Sequence, residues 1–295
     1  MKRLFSTRKR TVRVIVGTIA LLLGTLYIGF PAVMAVGVIL PIGTNAGDPP
    51  AGFTDVTLTT RDDVQLAAWY AEPNNGNVII LLHGSGSGRQ NVRNHATMLR
   101  EHGFGVLAVN LRGHGDSDGQ TNRLGWNGTS DVGAAVDFLT ARDEVEHIGA
   151  LGLSMGGEVL LGAASEYPMI EAIVAEGATY RSVDEYTSLP SNRPFHRNMT
   201  HHIFSFMVRT FSGDTPPGTT IMDSLEATKD TEFFFIAAGN ENEEIVYNEM
   251  FQTAVNDRGD LWIVPNAGHI QGLTRQRDAY DWRIVAFFTT AFERE

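Results

Sequence analysis

The sequence predicts an α/β protein: a mostly parallel central sheet with helices on both faces, and one apolar helix ahead of it. Three observations carry that prediction. Continuous apolar runs rich in β-branched residues, such as Val78–Leu82 and Val106–Leu111, have the composition of strands buried on both faces. Between such runs lie segments with apolar residues at helical spacing, and strands that alternate with helices build parallel sheets. Before all of them stands a stretch from Val14 to Leu40 without a charged residue.

The N-terminal stretch comes first. Lys2, Arg3, Arg8, Lys9, Arg10 and Arg13 put six positive charges into residues 1–13. The uncharged run behind them exceeds the roughly 20 apolar residues a helix needs to cross the hydrocarbon layer. Residues 14–40 therefore read as a single-pass transmembrane anchor, with Val14 to Ala35 the simplest span. Gly29 and Pro31 would kink it, which membrane helices tolerate. The basic flank predicts a cytoplasmic N-terminus and a body on the extracytoplasmic side. The alternative is a signal peptide cleaved after Val33-Met34-Ala35 that releases a secreted body, although its apolar core would be well over the usual length of about 7–15 residues. Residues 41–52 hold three Pro and three Gly and read as a linker.

The body, residues 53–295, opens with two short strands, Phe53–Thr59 and Gln65–Ala71, around a turn at Thr60–Asp63. The strand Val78–Leu82, a helix Asn91–His102 and the strand Val106–Leu111 follow. Next come a helix Ser130–Thr140, a strand Ile148–Leu153, a helix Gly156–Glu166 and a short strand Ala172–Ala175. Residues 178–222 break the alternation and carry many aromatics. The pattern resumes with the strand Phe233–Ala238, a helix Glu244–Val255, a last strand Leu261–Val264 and a closing helix Ala279–Phe292.

Composition narrows the function classes. The net charge of −11 divides into +6 on the flank and −17 on the body, since residues 48–295 hold 34 acidic and 17 basic side chains. Such a body is unsuited to nonspecific nucleic-acid binding. The absence of cysteine excludes a disulfide scaffold, a thiolate metal site and a cysteine nucleophile.

Ligands of parallel sheets bind at the carboxyl ends of the strands, and three unusual segments fall there. Gly152-Leu153-Ser154-Met155-Gly156-Gly157 joins a strand to a helix. This is a G-x-S-x-G turn that lifts the serine hydroxyl above the sheet, with glycines where side chains would clash. His83-Gly84-Ser85-Gly86-Ser87-Gly88 follows Val78–Leu82. It lacks the Lys-Ser/Thr of a phosphate loop and the spacing of a dinucleotide site. It suits an oxyanion hole in which the main-chain N–H groups of Met155 and Ser85 hold the charge. His83 reads as structural. Ala267-Gly268-His269 follows the last strand, where His269 can reach the serine as general base.

Together with Arg112-Gly113-His114-Gly115-x-Ser117, these segments stand in the order and spacing of the α/β-hydrolase fold family. From Phe53 onward the chain resembles its serine-hydrolase branch, which includes lysophospholipase-like and aminopeptidase-like enzymes. The resemblance implies a structural turn at Arg112–Ser117. It also implies a Ser, acid, His order, with the acid after Phe233–Ala238 and two residues before an Ile-Val pair. That position holds Glu243, where the family usually has Asp; Glu241 and Glu244 stand close by. It further implies a cap over the site at 178–222.

The sequence is thus expected to encode a membrane-anchored serine hydrolase that cleaves an ester or related acyl bond in a small or lipid-like substrate. Ser154, His269 and Glu243 would form the triad, without cofactor or metal. An aminopeptidase, a thioesterase, an acyltransferase and a catalytically silent binding module are the alternatives. Serine at position 154 excludes the carboxylate-nucleophile chemistry of haloalkane and epoxide hydrolases on this fold.

Overall fold

A computed structural model describes residues 2–41, 46–188 and 195–293, with side chains from Lys9 onward. Parts of the linker and of the cap insertion, 42–45 and 189–194, lie outside the described residues.

The expected sheet is present. Among the described residues, eight strands lie in the order β1-β2-β4-β3-β5-β6-β7-β8, with β8 (Gly259–Val264) at the far edge. β1 (Thr54–Thr59), β2 (Gln65–Ala71) and β4 (Gly105–Val109) pair antiparallel, and the remaining neighbours pair parallel. β3 (Asn77–Leu82), β5 (His147–Leu153), β6 (Ile170–Glu176) and β7 (Glu232–Ala238) form the centre, and past their first residues nearly every side chain in them is buried. Alternate residues of each strand feed two separate cores. Ile80, Ala150, Ile173 and Phe235 belong to one, and Ile79, Leu151, Val174 and Ile236 to the other. This is why the strands read as unbroken apolar runs.

Helices close both faces. α3 (Arg93–Glu101) and α11 (Arg277–Phe292) cover one of them. α4 (Gly128–Thr140), α5 (Met155–Ala163), α8 (Ile221–Ala227) and α9 (Asn242–Val255) cover the other. A single helical turn, α10 (Gly272–Arg275), precedes α11. α6 (Val183–Ser188) and α7 (Phe195–Ser212) occupy the predicted cap insertion. The Arg112 turn is structural: its guanidinium grips Asp62 and buried Asp131, both at 2.7–2.8 Å.

The N-terminal stretch is helical from Lys2 to Ile39, as α1 (Lys2–Gly24), a π-helical turn (Thr25–Gly29) and α2 (Phe30–Ile39). Pro31 has no N–H to give the preceding turn, and the widened turn just before it absorbs that loss. The large apolar side chains of α1 stay exposed, Leu21 at 71%. They form no part of either sheet core.

α9 is seated through Tyr247, Phe251 and Val255 against Phe233 and Phe235 of the sheet. Removing the Phe251 ring leaves a cavity beneath this helix. Phe251→Ala is expected to cost about 3–5 kcal/mol, read as a lowered midpoint in denaturant titration; an unchanged midpoint would show that α9 is held some other way.

Candidate active site

Ser154 is the last residue of the β5–α5 turn, and its backbone is at φ +52°, ψ −120°. An L-residue tolerates that angle only when its surroundings enforce it. A Cβ on Gly152 would lie 2.4 Å from the Gly156 carbonyl carbon, and one on Gly156 would lie 2.6 Å from the Leu82 oxygen. The two glycines therefore let helix α5 approach β3 and β5 closely enough to force the turn. Ser154 N–H donates to the Glu176 carbonyl at 2.7 Å, tying the turn to β6. Met155 opens α5, so its N–H is one of the first-turn donors that a helix cannot satisfy internally. A Cβ on Gly84 would lie 3.4 Å from Ser154 Cβ, so the loop after β3 borders the same spot.

His83 begins that loop and is fully buried. Its Nε2 accepts the Leu111 N–H at 3.1 Å, which leaves Nδ1 to donate to the Gly84 carbonyl at 2.9 Å. Both nitrogens are used in holding the loop. Burial pushes its pKa down to about 3, so the ring stays neutral.

His269 comes from the loop after β8 (Gly259–Val264), 115 residues beyond Ser154, and its Nε2 lies 2.8 Å from Ser154 Oγ. Two non-glycine residues of this loop have positive φ, Asn266 at +56° and Ile270 at +49°. For a β-branched residue such as Ile270 this is a strained backbone, of a kind that clusters at functional sites. A Cβ on Gly177 would come within 3.0 Å of the imidazole Cε1, so a glycine after β6 makes room for the ring.

The carboxylate behind the ring corrects the expectation from sequence. Glu244, not Glu243, meets His269 Nδ1. The other Glu244 oxygen accepts the Ala238 N–H at 2.9 Å. The reason is helical phase. Within α9 the buried residues are Glu244, Tyr247, Asn248, Phe251 and Val255, one stripe at i, i+3, i+4, i+7 and i+11. Glu243 is about 100° around the helix and faces outward, exposed. Glu241 precedes the helix and is also exposed. The apolar stripe was present in the sequence and, traced back one turn from Tyr247 and Asn248, selects Glu244.

Two further buried acids surround the site. Glu176, at the end of β6, accepts from Gly272 N–H and Tyr280 Oη–H, both at 2.8 Å. It thereby fastens the His269 loop to β6 and to α11. Glu158, one turn after Ser154, accepts the Thr179 N–H at 3.1 Å and the Thr179 hydroxyl at 2.8 Å, and burial pushes its carboxyl up to about 7. Sequence reasoning passed over both, since an acid inside a strand end or a helix carries no motif. The hydrogen bond to Glu244 raises the His269 pKa above 6.5 despite partial burial, and the charges of Glu244, Glu158 and Glu176 add to it.

The comparisons with known proteins can be set against this geometry. The family model for serine aminopeptidases of the S33 group matches residues 73–229, just over half of the chain. The chain belongs to that family of α/β-hydrolases. Its curated relatives match it in part. The Escherichia coli protein YcjY is 31% identical over 135 residues, 44% of this chain and 42% of that protein. Protein phosphatase methylesterase 1 of Candida albicans is 25% identical over 177 residues, half of this chain and 49% of that one. The chain spans under half the length of the curated relatives it matches, and 2% of a Vibrio cholerae repeats-in-toxin protein. Solved structures extend the likeness in fold. The Pyrococcus furiosus esterase Pf2001 superposes with a TM-score of 0.67 at 23% identity, over 86% of this chain and 98% of its own. An Exiguobacterium antarcticum esterase gives 0.60 at 15% identity, over 80% of this chain and all of its own.

The Glu244–His269 contact is directly measurable. In NMR titration the His269 ring is expected to titrate above 6.5, and Glu244→Gln is expected to move it down by removing the largest cause of the rise. Because the folded value is raised, the protonated ring's contribution to stability is complete below the ordinary value and is lost as pH rises through the raised one. An unmoved titration in Glu244→Gln would place the partner elsewhere.

Proposed function

We propose that the protein is a membrane-anchored serine hydrolase that cleaves an ester or related acyl bond through a Ser154–His269–Glu244 triad. The observation that carries the reading is the relay itself: Ser154 Oγ at 2.8 Å from His269 Nε2, with Glu244 on the opposite ring nitrogen. His269 takes the hydroxyl proton, and the oxygen attacks the acyl carbon. Glu244 accepts from Nδ1–H, which sets the tautomer that leaves Nε2 free as base and stabilises the imidazolium. The main-chain N–H groups of Met155 and Ser85 take the charge of the developing oxyanion. Collapse of the tetrahedral adduct expels the leaving group, which takes the proton from His269. Water then attacks the acyl-enzyme with the same histidine as base.

Two features support an ester over an N-terminal peptide. An aminopeptidase needs carboxylates aimed at a free amine, and two of the three acids of the cap insertion have other partners. Glu185 accepts three main-chain N–H groups, from Arg181, Ser182 and Ile221. Asp214 accepts from the side chains of Asn122 and Asn127 at 2.8 and 2.9 Å. The structural neighbours named above are esterases, and the family's description as aminopeptidases makes aminoacyl-anilides the necessary comparison.

Fluorophosphonate labelling of the wild type and its loss in Ser154→Ala test the nucleophile; equal labelling of both sinks the reading. On p-nitrophenyl esters, Glu244→Gln is expected to lower kcat by about 10⁴-fold, the cost of losing the correct tautomer, while Glu243→Ala leaves it essentially unchanged. Faster turnover of aminoacyl-anilides than of esters at every acyl length would assign a peptidase instead.

The anchor reading draws on α1 and α2, which hold an apolar helix from Lys9 to Ile39, with three basic residues in its first turns and three more just before it. An apolar surface of this size exposed on a helix long enough to span calls for a membrane. The chain is expected to stay with membranes in alkaline carbonate, and its body to resist protease added from the cytoplasmic side. Digestion of the body from that side would reverse the orientation.

A further inference from the structure

The helix Lys9–Ile39 has 31 residues and is therefore about 46 Å long at 1.5 Å per residue, against a hydrocarbon layer of about 30 Å. Counted from Arg13, the last charge, a span of about 20 residues ends near Val33. The last turns of α2 must then emerge, and one face of them is covered rather than open to water. Ala35, fully buried, packs with Val38 and Ile39 against Phe204, Met207 and Val208 of the cap helix α7. The two helices run in the same direction. Their C-terminal ends meet at one loop, where Arg123 N–H donates to the Val38 carbonyl and Asp214, just past α7, accepts from Asn122 and Asn127. The other end of α7, beginning at Phe195, therefore points back along the anchor toward the bilayer, and α7 touches the Thr25–Gly29 turn.

The chemistry of α7 fits that position. Its 18 residues hold Arg197, Arg209 and three histidines and no acidic residue, although the body around it carries −17. Phe195, Phe206 and Phe211 are exposed at 80, 67 and 46%. A helix that is basic, amphipathic and aromatic on its free side binds at the headgroup–acyl boundary of anionic membranes.

We propose that α7 is a second, interfacial membrane contact. It enters the lipid beside the emerging anchor, with Arg209 near its outer end placed in the headgroup layer to hold anionic lipid and Phe206 inserted next to it. The partner is the anionic lipid surface, and the cap thereby faces the membrane rather than open solvent. This rests on the reading of Lys9–Ile39 as a membrane span.

The full chain has no cysteine, so one substitution gives one labelling site. Phe206→Cys places a fluorophore on α7. Met169→Cys places one just before β6, at the amino end of the sheet and away from the site, where Met169 is 53% exposed. Both variants change exposed positions. Each is reconstituted in vesicles of phosphatidylcholine with phosphatidylglycerol, and in phosphatidylcholine alone. The Phe206 probe is expected to be quenched several-fold more than the Met169 probe by a lipid carrying a headgroup-level nitroxide. It is also expected to be the better protected from acrylamide, with the contrast larger on the anionic vesicles. Equal quenching of the two probes overturns the interfacial contact and leaves the anchor reading standing, provided that the protein floats with the vesicles after carbonate. Failure to float overturns the anchor reading and this inference with it. Equal contrast on both vesicle types overturns the assignment of Arg209 to anionic lipid.

Discussion

The backbone angle of Ser154 is the constraint on which the site depends. A residue at φ +52° at the end of a central strand is stable only where neighbours leave no alternative. Here β5 is buried between β3 and β6, α5 starts immediately, and Gly152 and Gly156 remove the two side chains that would hold α5 away. The strain lifts the hydroxyl clear of the sheet and puts the helix N-terminus directly behind the point of attack, where its partial positive charge favours an oxyanion. The pairing of Ser154 N–H with the Glu176 carbonyl then binds the serine to the strand that also carries the fastening of the histidine loop.

The carboxyl ends of four adjacent strands thus act as one unit. β5 contributes the serine, β6 the fastening carboxylate, β7 the N–H that orients Glu244, and β8 the loop of His269. The hydrogen bond to Glu244, with the charges of Glu244, Glu158 and Glu176, favours the protonated form of the imidazole. Each carboxylate is in turn held by main-chain or hydroxyl donors, so the electrostatic bias on the ring is built into the fold.

The opposite signs of the chain's two ends have a spatial meaning. The basic flank and the apolar helix form one end, and an acidic hydrolase body the other, yet the cap helix α7 departs from the charge of the body that bears it. It is also the element that packs on the emerging end of the anchor. α2 and α7 are therefore one structural feature, although about 155 residues separate them in sequence.

How much of this was legible beforehand follows from the range of the forces involved. The sheet, the serine turn and the histidine loop were readable because each rests on a local rule: β-branched runs make buried strands, glycines permit one tight turn, and a loop after a strand opens at the sheet's carboxyl edge. The identity of Ser154 and His269 needed nothing more. Glu244 needed more, because neighbouring glutamates are alike as residues and differ in which way the helix turns them. The packing of Tyr247 and Phe251 against Phe233 and Phe235 sets that rotation, and with it which carboxylate reaches the imidazole. The same holds for Glu176, Glu158 and the seating of α2 on α7. By itself the sequence determined the chemistry available at each strand end, since that depends on residue type and local backbone. Only the tertiary structure decided which of several equivalent side chains takes part, because that choice belongs to contacts between segments distant along the chain.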